Sequence, residues 1–446
     1  MPFLFSAVER DRAVNNSKVK RIGLSRAIDN RGKKIKQVDI QRRLISTHFT
    51  DDDLRNIHLW YLLREQPNNI SFRPRGAINS AHLWGENIDH VFIASRDRMI
   101  FGDTHECLLR GDDVRSSKHT WAHVSMVRVE RTELGLQDMP LFMLFKTEGK
   151  TEDKSMQINA VGFLRNKDPL LCHVNATGQY IILAFGKGMM RGGFPEILNP
   201  NCDWGNQCIY VTGKDHKRPL SYSNRNGEGD GMYESFRVVQ QAVGLLHYNK
   251  KTHLRNAGAK RAEAFGVPES KLARLGRWKS SEDGKEVSQV MLKHYLNNVP
   301  IDACIGLAGF HVGRQEYSCN RGMICKIDCV QSIKKDGDIK LLVDYLAPNL
   351  LHLSEKCEIA YLRRGEVPAG ERLPSSAQNY GFTRYCLAAT VAWIQDAGLL
   401  LERKPDLGNI PPYKWLLNPD EDGIQDAFIR ITKRVKDVVC LVYICI

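Results

Sequence analysis

Residues 250–310 constrain this chain more than any other stretch. They read KKTHLRNAGAKRAEAFGVPESKLARLGRWKS and, further on, MLKHYLNNVPIDACIGLAGF. A His-Arg cluster falls at a predicted helix start. A Gly-Arg-Trp corner follows, and then a tyrosine just before a proline-limited turn. Histidine, arginine and an indole can bind phosphoryl oxygens, and a tyrosine hydroxyl can be a nucleophile. That order of side chains suits chemistry on a DNA phosphate.

Five segments carry a family resemblance: Lys250 to His253, Gly258 to Glu263, Gly276-Arg277-Trp278, Tyr295 to Pro300, and Gly306 to Phe310. Together they resemble box II and the tyrosine box of the tyrosine recombinases. The likeness runs to the Crypton-type branch and to its relative, the centromere-binding subunit of the yeast inner kinetochore. It covers roughly residues 88–315. It implies a mainly α-helical fold with a small β-sheet or hairpin, a recombinase-like domain clasping duplex DNA, and helical regions on either side.

Composition agrees with an anionic partner. The 446 residues carry a net charge of +13 and a pI near 9.1, and each phosphate neutralised by Lys or Arg releases counterions. A surplus of solvated lysines would give the same charge. Hydrophobic content of 42% is enough for a folded core in a chain long enough for two or three domains. The 12 cysteines lack framework spacing and read as reduced thiols. Cys319, Cys325 and Cys329 cluster near His311, but without paired CxxC spacing. The opening MPFLFSAVERDR turns charged too soon for a signal peptide. The final VVCLVYICI is too short to span a bilayer. It reads as a buried terminal strand or as an accident of where the sequence stops.

Taken in order, residues 18–43 are a basic run, read as a solvated tail, a DNA-backbone arm or a nuclear import signal. Thr50 and the acids after it predict a capped helix with apolar positions at Leu54, Ile57, Trp60, Tyr61 and Leu63. Helical spacing resumes over 88–109 and runs into Arg110-Gly111-Asp112-Asp113-Val114-Arg115. Residues 122–129 and 141–146 are β-rich, and a polar turn at 149–151 predicts a hairpin with the run 156–161. Residues 174–188 read as a helix on that sheet, 186–231 as an irregular excursion, and 233–248 as an amphipathic helix leading to Lys250. Helical patches at 341–353 and 386–401 occupy the last region without a recognisable motif. The division expected is 1–80 for a basic arm and helical N-terminal domain, 88–315 for the recombinase-like domain, and 316–446 for a helical C-terminal region.

The resemblance also implies roles. Tyr295 would attack the phosphate, and Arg110 and Arg255 would clamp it, with Arg115 replacing Arg110 if the register slips. Lys150, or Lys146 in second place, would be the acid. His253 and Trp278 would complete the site, and Asp113 would orient the Arg110 segment. Residues 165–172 add to the alignment rather than to the chemistry. Further DNA contacts fall to Arg115, Lys250, Lys251, Lys260, Arg261, Arg274, Arg277 and Lys279. No metal or nucleotide is implied, nor any membrane. A homo-oligomer on double-stranded DNA in the nucleus is. One departure matters. His253 and Arg255 are separated by one residue where the family has two, which puts them on nearly opposite faces of a helix. The first reading is a recombinase forming a 3′-phosphotyrosyl intermediate. The alternative is a catalytically silent DNA-binding protein of centromere or transcription-factor type. The third is an interaction scaffold with incidental charge.

Overall fold

The computed structural model describes residues 49–63, 87–131, 135–146, 159–194, 204–212, 219–220, 231–245, 253–276, 299–312, 330–368, 371, 374–419 and 423–444. All belong to one unit, Phe49–Ile446. Helix α1 (Asp51–Leu63) starts on a reciprocal cap. The Thr50 hydroxyl accepts the Asp53 N–H at 3.1 Å, and the Asp53 carboxylate accepts the Thr50 N–H at 2.9 Å. Helix α2 (Ile88–His105) is capped by the Asn87 side chain on the Asp89 N–H. Most of its length is buried, so it forms a central strut. The short α3 (Gly111–Ser116) follows directly, with Asp113 accepting the Arg110 N–H at 3.3 Å.

Strands β1 (Ala122–Arg131), β2 (Gly135–Lys146) and β3 (Asn159–Phe163) form an antiparallel meander. Ala122 pairs with Leu144, and Phe142 with Phe163. Alternate residues of a strand face opposite sides, and both sides of this sheet are covered. Phe142, Leu144, Val161 and Phe163 join the main core, where Phe142 stacks on Phe163 and meets Tyr385 edge-on. Met139 and Leu141 enter a second cluster with Val299, Cys304, Ile305 and Phe310. Strands β2 and β3 pair, as the hairpin reading expected; Lys150 lies outside the described residues.

Helix α4 (His173–Ala184) is the predicted helix at that place, though its main neighbours are helices α2 and α13 (Tyr380–Arg403) rather than the sheet. Helix α5 is Gly231–Ala242, shorter than the periodicity suggested. Helices α6 (His253–Ala264), α7 (Glu269–Gly276) and α8 (Ile301–Leu307) pack on one another, and α6 also lies on α2. The chain continues as α9 (Val330–Lys335), α10 (Gly337–Leu346), α11 (Leu350–Leu362), α12 (Ser375–Gln378), α13, α14 (Tyr413–Leu416) and α15 (Ile424–Ile444). The apolar end expected as a terminal strand is instead the last turns of α15, which inherit an amphipathic helix already under way at Ile424. The fold is therefore mainly α with one small sheet, as expected. Helix α13 packs against α4, β1, α11 and α15, so the last third of the chain shares the main core.

Buried polar groups fasten these elements. Arg98 on α2 donates to His58 at 3.1 Å, to Asn175 and Gln179 at 3.0 Å and to the Leu170 carbonyl at 2.9 Å. Arg165 pairs with Asp396 of α13 at 2.6 Å and also donates to Gln395 at 2.6 Å. Asp168 accepts from Arg55 of α1 at 2.9 Å and from Arg403 of α13 at 3.0 Å. Burial would raise the Asp168 carboxyl, but the Arg55 hydrogen bond, the Leu170 N–H and Arg403 hold it below its ordinary value. The segment 165–172, which served the alignment only, thus ties α1 and α13 to the chain after β3.

Candidate nucleic-acid interface

Of the segments named for phosphate contact, the Arg110 turn, α6 and the end of α7 meet where α2 ends. Glu106 closes α2, and Leu108 then turns into the left-handed region at φ 53°. Its side chain is buried, and the Leu109 N–H returns to the Asp103 carbonyl at 3.2 Å. This turn delivers the half-buried Arg110 to the start of α3. Tyr233 of α5 supports it from behind: a Cβ on Gly111 would stand 2.5 Å from the Tyr233 hydroxyl. The guanidinium of Arg115 lies over the same ring at 5.5 Å.

Helix α6 docks on this turn at very close range. A Cβ at Gly258 would lie 2.0 Å from the His105 carbonyl oxygen, so only glycine allows the approach. Helix α6 stops at Gly266, φ 82°. There the Gly266 N–H bonds to the Glu263 carbonyl and the Val267 N–H to that of Ala262, the pairing of a Schellman stop. The Gly306 to Phe310 signature closes the other side. Gly306 fits against Val267, Gly309 takes φ 84° beside the Arg261 guanidinium, and Phe310 fills the second core. These glycines are packing requirements of three helices.

The cations divide by burial. Arg115 and Arg261 are each 4% exposed. Arg115 reaches Asp112 at 3.4 Å. Arg261 binds Asp51 of α1 at 2.9 Å and the Leu307 carbonyl at 2.6 Å. The exposure that a phosphate contact requires is absent at both; they join elements from within. Arg110, Lys260 and Arg274 are part-exposed. Arg255 donates from Nε to the Leu108 carbonyl at 2.6 Å and from Nη2 to the Gly276 carbonyl at 2.5 Å. Leu254 beside it is buried and Asn256 exposed, so the residue after the arginine takes the outward direction on α6. His253 opens α6, but its side chain is outside the described set, as is that of Lys146. Lys150, Lys250, Lys251, Arg277, Trp278, Lys279 and Tyr295 lie outside the described residues altogether. The structure thus brings the Arg110 turn together with the Arg255, Lys260 and Arg274 helices.

Two ionisable groups under the turn are strongly perturbed. The Glu106 carboxyl is pushed up to about 8 by burial, with Arg261 and Arg98 pulling the other way. The His105 imidazole is brought down to about 3, first by burial and then by Arg261 and His173. Near pH 7 the Glu106 carboxyl is therefore mainly protonated and the His105 imidazole uncharged.

Among the described residues, Asp103, Cys107 and His173 could in principle meet at a metal, their donor atoms lying within 4.8 Å of one another. The geometry is that of a hydrogen-bonded network instead. His173 Nε2 is 2.8 Å from Asp103, whereas two ligands of a tetrahedral zinc stand roughly 3.3 Å apart. The other carboxylate oxygen of Asp103 accepts the Tyr210 hydroxyl. Sequence reading missed this network and the Arg98 hub. Charged residues at positions 98 and 103, within the helical spacing of 88–109, were the available signal.

Residues 113–320 match the family described as the centromere DNA-binding protein complex CBF3 subunit, domain 2. The match takes in the sheet and α4 to α8, and begins three residues beyond Arg110. That description names DNA binding and a protein complex, and does not name recombination. No curated protein matches the chain. Among the described residues, no helix is long and apolar enough to cross a membrane.

Proposed function

We propose that this protein binds double-stranded DNA as a subunit of a centromere-type complex in the nucleus, and that it does so without cutting the strand. The similarity of residues 113–320 to a centromere DNA-binding subunit carries this reading. The net charge of +13 supports it, since phosphate contacts dominate non-specific affinity for duplex DNA. Arg110, Lys260 and Arg274 make phosphate contacts from the turn, α6 and α7. Lys250, Lys251, Arg277 and Lys279 add to them from the flanking segments.

The binding reading is preferred to recombination on chemical grounds. Strand cleavage would need Tyr295 activated by cations at one phosphate. Of the two arginines named for that clamp, Arg255 spends two donors on backbone carbonyls. A nicked duplex is therefore bound without forming a denaturant-stable protein–DNA adduct. An adduct that Tyr295→Phe removes would restore the recombinase reading. Arg110→Ala, Lys260→Ala and Arg274→Ala each weaken duplex binding across sequences and lower the salt slope by about one. Fluorescence anisotropy with labelled duplexes measures this, and three variants with unchanged affinity would count against the assignment of this face.

A further inference from the structure

Arg255 stands at a junction. Its Nε donates to the carbonyl of Leu108 at 2.6 Å and its Nη2 to that of Gly276 at 2.5 Å. Leu108 is a branched residue held in the left-handed region, a conformation that residues other than glycine rarely adopt. It persists only where the surroundings impose it. Two impositions are visible: the buried Leu108 side chain and the guanidinium on its carbonyl. Two residues later the chain presents Arg110. At the other end of the fork, Gly276 is the last residue of α7, two residues beyond Arg274. A planar fork with fixed N–H directions can hold two carbonyls at once, which a lysine ammonium on a flexible stem does far less well.

We propose that Arg255 is a positioning residue for DNA: it locks the Leu108 turn to α6 and the end of α7, and so sets the direction in which Arg110 meets a phosphate. This gives the one-residue offset from His253 a physical meaning. An arginine at position 256, the family's spacing, would stand at the exposed site that Asn256 occupies. At 255 it faces the backbone of its neighbours. The inference rests on the DNA-binding reading above and assigns Arg255 an indirect part in it.

A thermodynamic cycle tests it, using the full chain and a labelled duplex. The proteins are the wild type, Arg255→Lys, Arg110→Ala and the double variant, each checked for cooperative thermal unfolding. Arg255→Lys keeps the charge but loses the fork, and is expected to weaken binding roughly tenfold. Its salt slope falls by about one, matching Arg110→Ala. In the Arg110→Ala background the same substitution costs less than about twofold, because residues acting through one another are not additive. If Arg255→Lys does not fold, Arg255→Gln, which keeps one amide donor, takes its place in the cycle. An equal loss in both backgrounds would overturn the proposal and make Arg255 a contact in its own right. A lowered unfolding temperature with unchanged affinity and slope would overturn it too, leaving a purely structural residue. A wild type that fails to bind duplex at low salt would remove the functional reading itself, and the inference with it.

Discussion

Single residues in this protein are constrained by close approach and by burial. Gly258 shows the first. Any side chain there meets the His105 backbone oxygen at 2.0 Å, and backbone cannot swing aside as a side-chain tip can. Gly258→Ala is expected to destabilise the fold by about 1–3 kcal/mol in urea unfolding, the usual cost of overpacking. A change near zero would mean that α6 is not held against α2 as described. Glu106 shows the second. Its folded pKa of about 8 lies above its ordinary value of 4.5. The folded state therefore keeps a proton that the unfolded chain gives up. Its stabilising contribution is complete below pH 4.5 and is lost as pH rises through about 8. Glu106→Gln should flatten the fall in stability between pH 5 and pH 8, measured by denaturant midpoints. An unaltered pH profile would contradict a neutral Glu106.

At the scale of elements, the joints are ion pairs between segments remote in sequence. Arg165, 1% exposed at the side chain, meets Asp396, 0% exposed, and so anchors α13 to the chain after β3. Removing one partner strands a buried charge. Arg165→Met should cost about 3–5 kcal/mol, and Arg165→Met with Asp396→Leu should recover most of that. Equal losses for the single and double variants would show that the pair is not the source of the stability. Such joints mark the limit of what sequence shows. The Thr50 cap, the alternation through Phe142 and Leu144, and the helical spacing of α2 are local patterns, and each predicted its element. The start of β2 at Gly135 and the end of α5 at Ala242 were set by pairing and packing, so spacing alone misplaced them. The strand offered as one reading of the apolar tail gives way to a helix, because hydrophobicity without period does not separate the two. The partners of Arg255, Arg261 and Arg165 lie 21 to 231 positions away along the chain. No local pattern encodes them.

For the whole molecule, the net charge and the family match of residues 113–320 support the same DNA-binding reading. The candidate face was legible in part. The sequence named Arg110, Lys260 and Arg274, which are part-exposed, but it also named Arg115 and Arg261, which are buried. Helical spacing reports which side of a helix a residue takes; it does not report whether another helix covers that side. The central claim is that binding proceeds through phosphates on this basic surface. Its most direct measurement is the affinity of the wild-type chain for a duplex across salt, from about 50 mM to about 200 mM. Six or more phosphate contacts predict a loss of roughly a thousandfold or more over that range, with log affinity falling linearly with log salt. Binding that is absent at the lowest salt, or that holds steady across the range, would contradict the account.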